Sequence, residues 1–512
     1  MRSSRIAAAI CSLALTAPAA VLVTTPAAAA AGQSSRDGCI TSRPEPGSDA
    51  KVDICYTIFK PAGATRRSKV PLVMHSHGWG GSRTTDASEF QDYLDAGLGV
   101  LSFDQRGFGE SGGKAHVMNP AYEGRDVRRL VRLIAKQPWV RKDAPGDPRL
   151  GSIGGSYGGG YQFLTAFEEL RVKGTPVLDA MAPEITWWDL KQSLAPSEVV
   201  RTEWVSALSA AGLPSQALPE PVYVSLAEGA ATGDWPSGDV PGGADLDAFF
   251  KKNGPSWHVS QGRRLDIPVL FGQGATDNLF PLRQGLQNWQ KALTKKARKR
   301  SIFVGYNGGH TLPSVFPLGV QASADPCSVK LGSEDFADLA LRFMQQNLLG
   351  EKRGLNGFGR FHLATNDDRC LTVRSVRPSQ GIAIDDIAVP AVAGPPISTK
   401  IVEGPVTVAG RTFVSADVTT LGPDSRVFMA LAVGRTPVDA RMVQNNSLPV
   451  RVRGVVSDRR IRFELPSVAV RVPAGQSLFL LASPIADMFA GFGSRTPSAL
   501  QFADVTVRLP VR

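Results

Sequence analysis

Cysteine and histidine are scarce in this 512-residue chain, with five of the first and six of the second. Beyond roughly the first thirty residues no apolar run has the length of a membrane-spanning helix, so no membrane span is expected. Internal repeats and a phosphate-binding glycine loop are both missing. His75 and His77 stand at strand spacing, but no carboxylate or cysteine cluster accompanies them. A metal centre is therefore not expected, and neither is a cofactor.

The first 31 residues read as a targeting segment. Arg2 and Arg5 form a basic start, residues 6–23 are apolar or small, and the alanines at 27–31 offer cleavage sites. Cys11 lies too early in the apolar stretch for lipid attachment. Its removal leaves Cys39, Cys55, Cys327 and Cys370, an even number that suits two disulfides in an oxidising compartment. Of the three possible pairings, proximity favours Cys39–Cys55 and Cys327–Cys370. The expected location is extracellular. The formal charge of +11 drops to about +9 without Arg2 and Arg5, and export makes nucleic acid a poor candidate partner for that charge. The densest basic run, at 295–300, reads as a solvated helix end.

One short stretch carries the chemistry. Gly154-Gly155-Ser156-Tyr157-Gly158 follows the strand-like Arg149-Leu150-Gly151-Ser152-Ile153 and precedes helix-forming residues at 161–167. A serine centred in G-x-S-x-G between strand and helix is a nucleophile elbow, its hydroxyl pushed into the open by a sharp turn. A serine hydroxyl needs a histidine to take its proton and a carboxylate to hold that histidine. Asp277 follows the buried strand at 267–272, and His310 follows the strand at 301–306, which gives the chain order Ser, Asp, His. The competing acid is Asp189, after the strand-like Ile185-Thr186-Trp187-Trp188. Asp266 precedes its strand and so sits at the wrong end of the sheet. His362 lies beyond the last hydrolase helix. For the oxyanion hole, one backbone N–H is expected from Tyr157 and a second from Trp79, in the glycine-rich turn after the strand at 71–76.

Strand and helix alternate from about 52 to 347, which predicts a mostly parallel sheet with helices on both faces. The helix at 125–136 carries Val127, Leu130, Val131 and Ile134 on one face, a core spacing. Between 185 and 264 the alternation breaks, and five of the eight tryptophans fall there. That stretch reads as a partly helical cap over the nucleophile. From about 385 onward short β-rich runs separated by glycine and proline turns predict a β-sandwich or jelly roll. The expected organisation is thus a leader at 1–31, a catalytic domain at 32–350, a linker at 351–384 and a β-sandwich at 385–512.

His77-Gly78-Trp79-Gly80, Asp104-Gln105-Arg106-Gly107-Phe108-Gly109 and the elbow together resemble the α/β-hydrolase superfamily. The Ser-Tyr-Gly-Gly form of the elbow, the long insertion before the acid and the C-terminal all-β domain resemble the X-prolyl dipeptidyl-peptidase and cocaine-esterase group. That group usually donates to the oxyanion from a tyrosine side chain in the early loop, where this chain has Trp79. The resemblance also implies carboxylates in the cap that anchor a substrate amine, and Glu198 and Glu203 are the candidates. Trp187 and Trp188 are candidates for stacking on an acyl group or a proline ring.

These observations lead to an expectation of a secreted serine hydrolase acting on a peptide or an ester. X-prolyl dipeptidyl-peptidase activity comes first and carboxylic-ester hydrolysis close behind. A glycan-binding exported protein with a degenerate hydrolase domain is the alternative from another class.

Overall fold

The computed structural model describes residues 32–310, 323–390, 392, 394–491, 493–494 and 498–512. The expected leader and Cys11 lie outside the described residues. Ten strands form one sheet: β1 (Ser34–Ser42), β2 (Val52–Lys60), β3 (Leu72–Ser76), β4 (Gly99–Phe103), β5 (Leu150–Gly155), β6 (Ala180–Glu184), β7 (Leu270–Gly274), β8 (Ile302–Tyr306), β9 (Phe361–Ala364) and β10 (Cys370–Val373). Their order is β1-β2-β4-β3-β5-β6-β7-β8-β9-β10. The run from β4 to β9 is parallel, and antiparallel pairs close both ends.

Side chains alternate across this sheet because the strand period is two. Leu72, Met74, Leu101, Phe271 and Phe303 enter the core on one face, with the helices Glu123–Lys136 and Tyr157–Lys173. Val73, Val100, Leu270, Ile302 and Val304 enter the other, with the helix Phe336–Met344. Both faces are covered, as a parallel sheet requires.

Two disulfides close, Cys39–Cys55 between β1 and β2, and Cys327–Cys370 onto β10. The second lies in what the sequence reads as a linker, and here the boundary needs correcting. Residues 351–384 hold β9 and β10, which finish the ten-stranded sheet, and also the strand Gln380–Ile384, which belongs to the sandwich. Strands of four or five residues between glycine and charged residues are too short to show a period in the sequence.

The chain leaves the sheet after β6 and returns at β7, and the cap lies between. It is built from the helices Leu190–Leu194, Thr202–Gly212, Glu220–Thr232, Leu246–Phe250 and Pro255–Ser260. The strand expected at 185–188 is not there; the strand ends at Glu184 and the backbone turns at Ile185, with φ 39°. The basic run forms its own short helix, Lys295–Lys299.

The C-terminal region is a sandwich of two antiparallel sheets. Val414, Ala416 and Val418 of one sheet face Val427, Met429 and Leu431 of the other in a single core. No helix among the described residues is long and apolar enough to cross a membrane.

Candidate active site

Ser156 joins β5 to the helix Tyr157–Lys173 with φ 56° and ψ −121°, a backbone state costing about 1–3 kcal/mol for a residue with a Cβ. The surroundings hold it there. Its N–H donates to the Glu184 carbonyl of the neighbouring strand at 2.9 Å, and its own carbonyl accepts from Gly159 at 2.8 Å. Glycines permit the close packing around this turn. A Cβ at Gly158 would collide with the Ser76 carbonyl of β3, and Gly154 has φ 135°.

Asp277 and His310 lie in the loops after β7 and β8, at the same C-terminal end of the sheet as Ser156, where open α/β sheets gather their chemistry. Asp277 is fully buried, and one carboxylate oxygen accepts the N–H groups of Leu279 and Phe280, both at 2.9 Å. Its other oxygen is 2.9 Å from Nδ1 of His310. Because that oxygen only accepts, Nδ1 carries the proton and Nε2 is left as the basic nitrogen. The two loops are also tied by Thr276, whose hydroxyl accepts the Gly308 N–H at 2.7 Å and donates to the Gly308 carbonyl at 3.1 Å. Trp204 and Phe280 meet the imidazole edge to face, with ring centroids 5.8 and 5.4 Å away. The rival acids are occupied elsewhere. Asp189 caps the helix Leu190–Leu194, and Asp266 pairs with Arg300 and Lys296 on the surface.

The turn after β3 is held by His77. Its Nε2 accepts the Gln105 N–H at 3.0 Å, so Nδ1 bears the hydrogen and donates to the Gly78 carbonyl at 2.7 Å. Burial pushes the His77 pKa down, in keeping with this neutral tautomer. The same Gly78 carbonyl accepts from Gly81 at 3.1 Å. In a trans peptide the carbonyl and the following N–H point in opposite directions. Fixing the Gly78 carbonyl therefore fixes the Trp79 N–H, and Gly78 itself passes beside Ser156, where an added Cβ would lie 3.9 Å from the serine Cβ. The Trp79 indole is committed elsewhere, donating to the Leu208 carbonyl of the cap at 2.8 Å. Any donation from Trp79 to a substrate oxygen is thus a backbone one. Tyr157, the first residue of its helix, offers its N–H at the positive end of the helix dipole.

Ser156 opens onto a cavity walled by Trp79, Trp187, Val205, Leu208, Leu226 and Phe280, among others, with no charged residue among the described residues that line it. Of the expected substrate-binding residues only Trp187 lines it. Trp188 stands outside, under the Lys291 ammonium at 5.1 Å. Glu198 is paired with Arg453 at 2.6 Å. Glu203 is not part of the lining; burial and then the charge of Asp487 on the sandwich push its carboxyl up to about 7. Both carboxylates were proposed from the resemblance alone, and neither faces the cavity.

Sequence reasoning missed three contributors. Phe280 both lines the cavity and abuts His310. Glu184 accepts the Tyr306 hydroxyl at 2.5 Å directly behind the elbow, and burial raises its pKa. Gln444 and Asn446 of the sandwich reach the loops that carry His310 and Asp277. The only signal for these last was a run of amides, Gln444-Asn445-Asn446, between β-rich segments.

The family model for X-Pro dipeptidyl-peptidase (S15 family) matches residues 49–311. Among solved structures, a CocE/NonD family hydrolase from Staphylococcus aureus superposes with a TM-score of 0.64 at 11% identity, covering 93% of this chain and 97% of that one. An α-amino acid ester hydrolase superposes with a TM-score of 0.61 at 14% identity, covering 97% and 100%. At such identities the likeness shows the fold. An uncharacterized 31.7 kDa protein of Escherichia coli, from the traX-finO intergenic region, is 34% identical over 121 residues. That match spans 23% of this chain and 40% of the length of the relative.

Proposed function

The chain belongs to the X-Pro dipeptidyl-peptidase (S15) family, and from that premise we propose that it is an exported serine hydrolase working through an acyl-enzyme on Ser156. Nε2 of His310 takes the hydroxyl proton as Oγ attacks the substrate carbonyl, and Asp277 holds the imidazole in the tautomer this needs. The N–H groups of Tyr157 and Trp79 receive the oxyanion. His310 then protonates the leaving group, and a water deprotonated by His310 releases the acid. The single observation that carries this reading is the Asp277–His310 pair at 2.9 Å, at the same sheet end as a serine held at φ 56°. The two disulfides are compatible with export.

The cavity favours an ester with an apolar acyl group. Its lining is aromatic and aliphatic apart from two serines and a tyrosine hydroxyl, and no charge among the described residues lines it to meet an amine. The second reading is dipeptide release from X-Pro peptides, favoured by the family match. Turnover of a glycyl-prolyl chromogenic amide and of short- and medium-chain nitrophenyl esters, by parent and Ser156→Ala, separates the two. Serine-dependent ester hydrolysis that improves with acyl length supports the ester reading, whereas serine-dependent amide cleavage supports the peptidase. Activity that survives Ser156→Ala sinks the nucleophile assignment.

A further inference from the structure

The sandwich segment from Val443 to Ser447 is buried throughout, although it connects β-strands and is made mostly of amides. Its backbone is costly. Gln444 has φ 52° and ψ 31°, and Asn445 has φ 49°. Asparagine tolerates this left-handed region, but glutamine has no such preference. Both amide atoms of Asn445 and the Oδ1 of Asn446 are buried with no hydrogen-bond partner among the described residues. A segment that breaks local rules in this way is not shaped for its own stability, and such violations concentrate where a structure does something else.

What the segment gains is contact with the two loops that carry the acid and the base. Asn446 Nδ2 donates to the backbone carbonyl of Asp277 at 3.0 Å. Gln444 Nε2 donates to Oδ1 of Asn307 at 3.2 Å and to the Ala364 carbonyl at 3.1 Å, while its Oε1 accepts the Ala469 N–H at 3.0 Å. Asn307 opens the loop that carries His310. It is itself tied to the Thr365 carbonyl and to Asp368, each at 2.9 Å. One short piece of the sandwich therefore grips the acid residue's own backbone and the root of the histidine loop.

We propose that Gln444 and Asn446 are positioning residues, which use the β-sandwich to set the distance and angle between Asp277 and His310. The inference rests on the assignment of Asp277 and His310 made above. It gives the C-terminal region a part in the chemistry without any contact with the substrate. Misplacing a catalytic group by about 1 Å costs on the order of 100-fold in rate, so loosening one of these two anchors should be visible in kcat.

The experiment is a kinetic cycle in the full-length protein with Asn446→Ala, Asp277→Asn and the double variant, assayed on the ester that the parent turns over best. Asn446→Ala is expected to lower kcat roughly 10- to 100-fold, with KM within about twofold of the parent. In the Asp277→Asn background the same change is expected to add little, because the group it positions no longer functions. A general loss of stability would instead multiply with Asp277→Asn. Gln444→Met is read in the same cycle, and Asn446→Ser replaces Asn446→Ala if the alanine variant does not fold. A kcat within twofold of the parent for both positions, or losses that multiply fully, overturns the proposal. If Asp277→Asn itself leaves kcat intact, the acid assignment falls and this inference falls with it.

Discussion

Asp277 gives one carboxylate oxygen to two backbone amides and the other to Nδ1 of His310, 2.9 Å away. Its orientation is thus set by the loop before any substrate arrives, and the histidine inherits that orientation. Asp277→Asn keeps the volume and can still accept the two amides, but its NH2 faces a nitrogen that must then give up its proton. The imidazole is driven to the wrong tautomer. A fall in kcat of about 10⁴ is expected, with the melting temperature nearly unchanged. Steady-state kinetics beside a thermal melt check both halves.

His77 should matter to rate and not to substrate affinity. In the proposed mechanism the Trp79 N–H that it aims meets a full negative charge only in the tetrahedral state, so loosening it withdraws stabilisation chiefly there. His77→Phe fills the space but cannot hold the Gly78 carbonyl. A drop in kcat of roughly 10- to 100-fold with little change in KM is expected, less than or equal to the loss of one whole oxyanion donor. An unchanged kcat would remove Trp79 from the oxyanion hole.

Arg426 clamps the cap to the sandwich. Its fully buried guanidinium reaches Asp234 of the cap at 2.5 Å and Asp424 of the sandwich at 2.8 Å, and Arg451 joins the same two carboxylates at 2.8 and 2.7 Å. Arg426→Met leaves Asp424 with one partner and Asp234 partly solvated. The stability loss should therefore be about 2 kcal/mol, below the figure for a wholly buried pair. Urea unfolding measures it, and faster proteolysis near residues 234–242 is expected alongside.

Glu203 predicts a pH dependence of stability. Burial and Asp487 raise its carboxyl from 4.5 to about 7 in the folded state. Below 4.5 folded and unfolded chains both hold the proton, and its contribution is fully present. As pH rises toward 7 the unfolded chain releases the proton first, so stability is lost through that window and levels off above it. Glu203→Gln lacks this titration. The melting temperatures of variant and parent should lie closest near pH 4 and diverge, in favour of the variant, by about pH 8. A constant difference across the range would show that Glu203 titrates normally.

The sequence made the hydrolase sheet, the cap insertion and the sandwich legible because each leaves a local pattern: alternation of apolar residues, a break in that alternation, and regularly spaced turns. Ser156, Asp277 and His310 were legible because each directly follows a strand in a fixed order. What was not legible depends on partners distant in the chain. Asn446 meets Asp277 across 169 positions, and Arg426 meets Asp234 across 192, separations at which no periodicity speaks. The cap carboxylates failed for a related reason. Glu198 and Glu203 lie in the cap, but their surroundings depend on the sandwich, where Arg453 pairs with Glu198 and the charge of Asp487 acts on Glu203.

The placement of β9 and β10 bears on how this protein can be cut. A chain stopped near residue 350, where composition alone draws a boundary, would lose the strand that pairs with β8 and the cysteine that joins Cys327. Strand β8, buried along its whole length, would become a bare, apolar rim with unsatisfied backbone groups, the sort of surface that recruits strands from neighbouring molecules. Such a fragment would keep every residue of the proposed triad and should still be recovered mainly as aggregate.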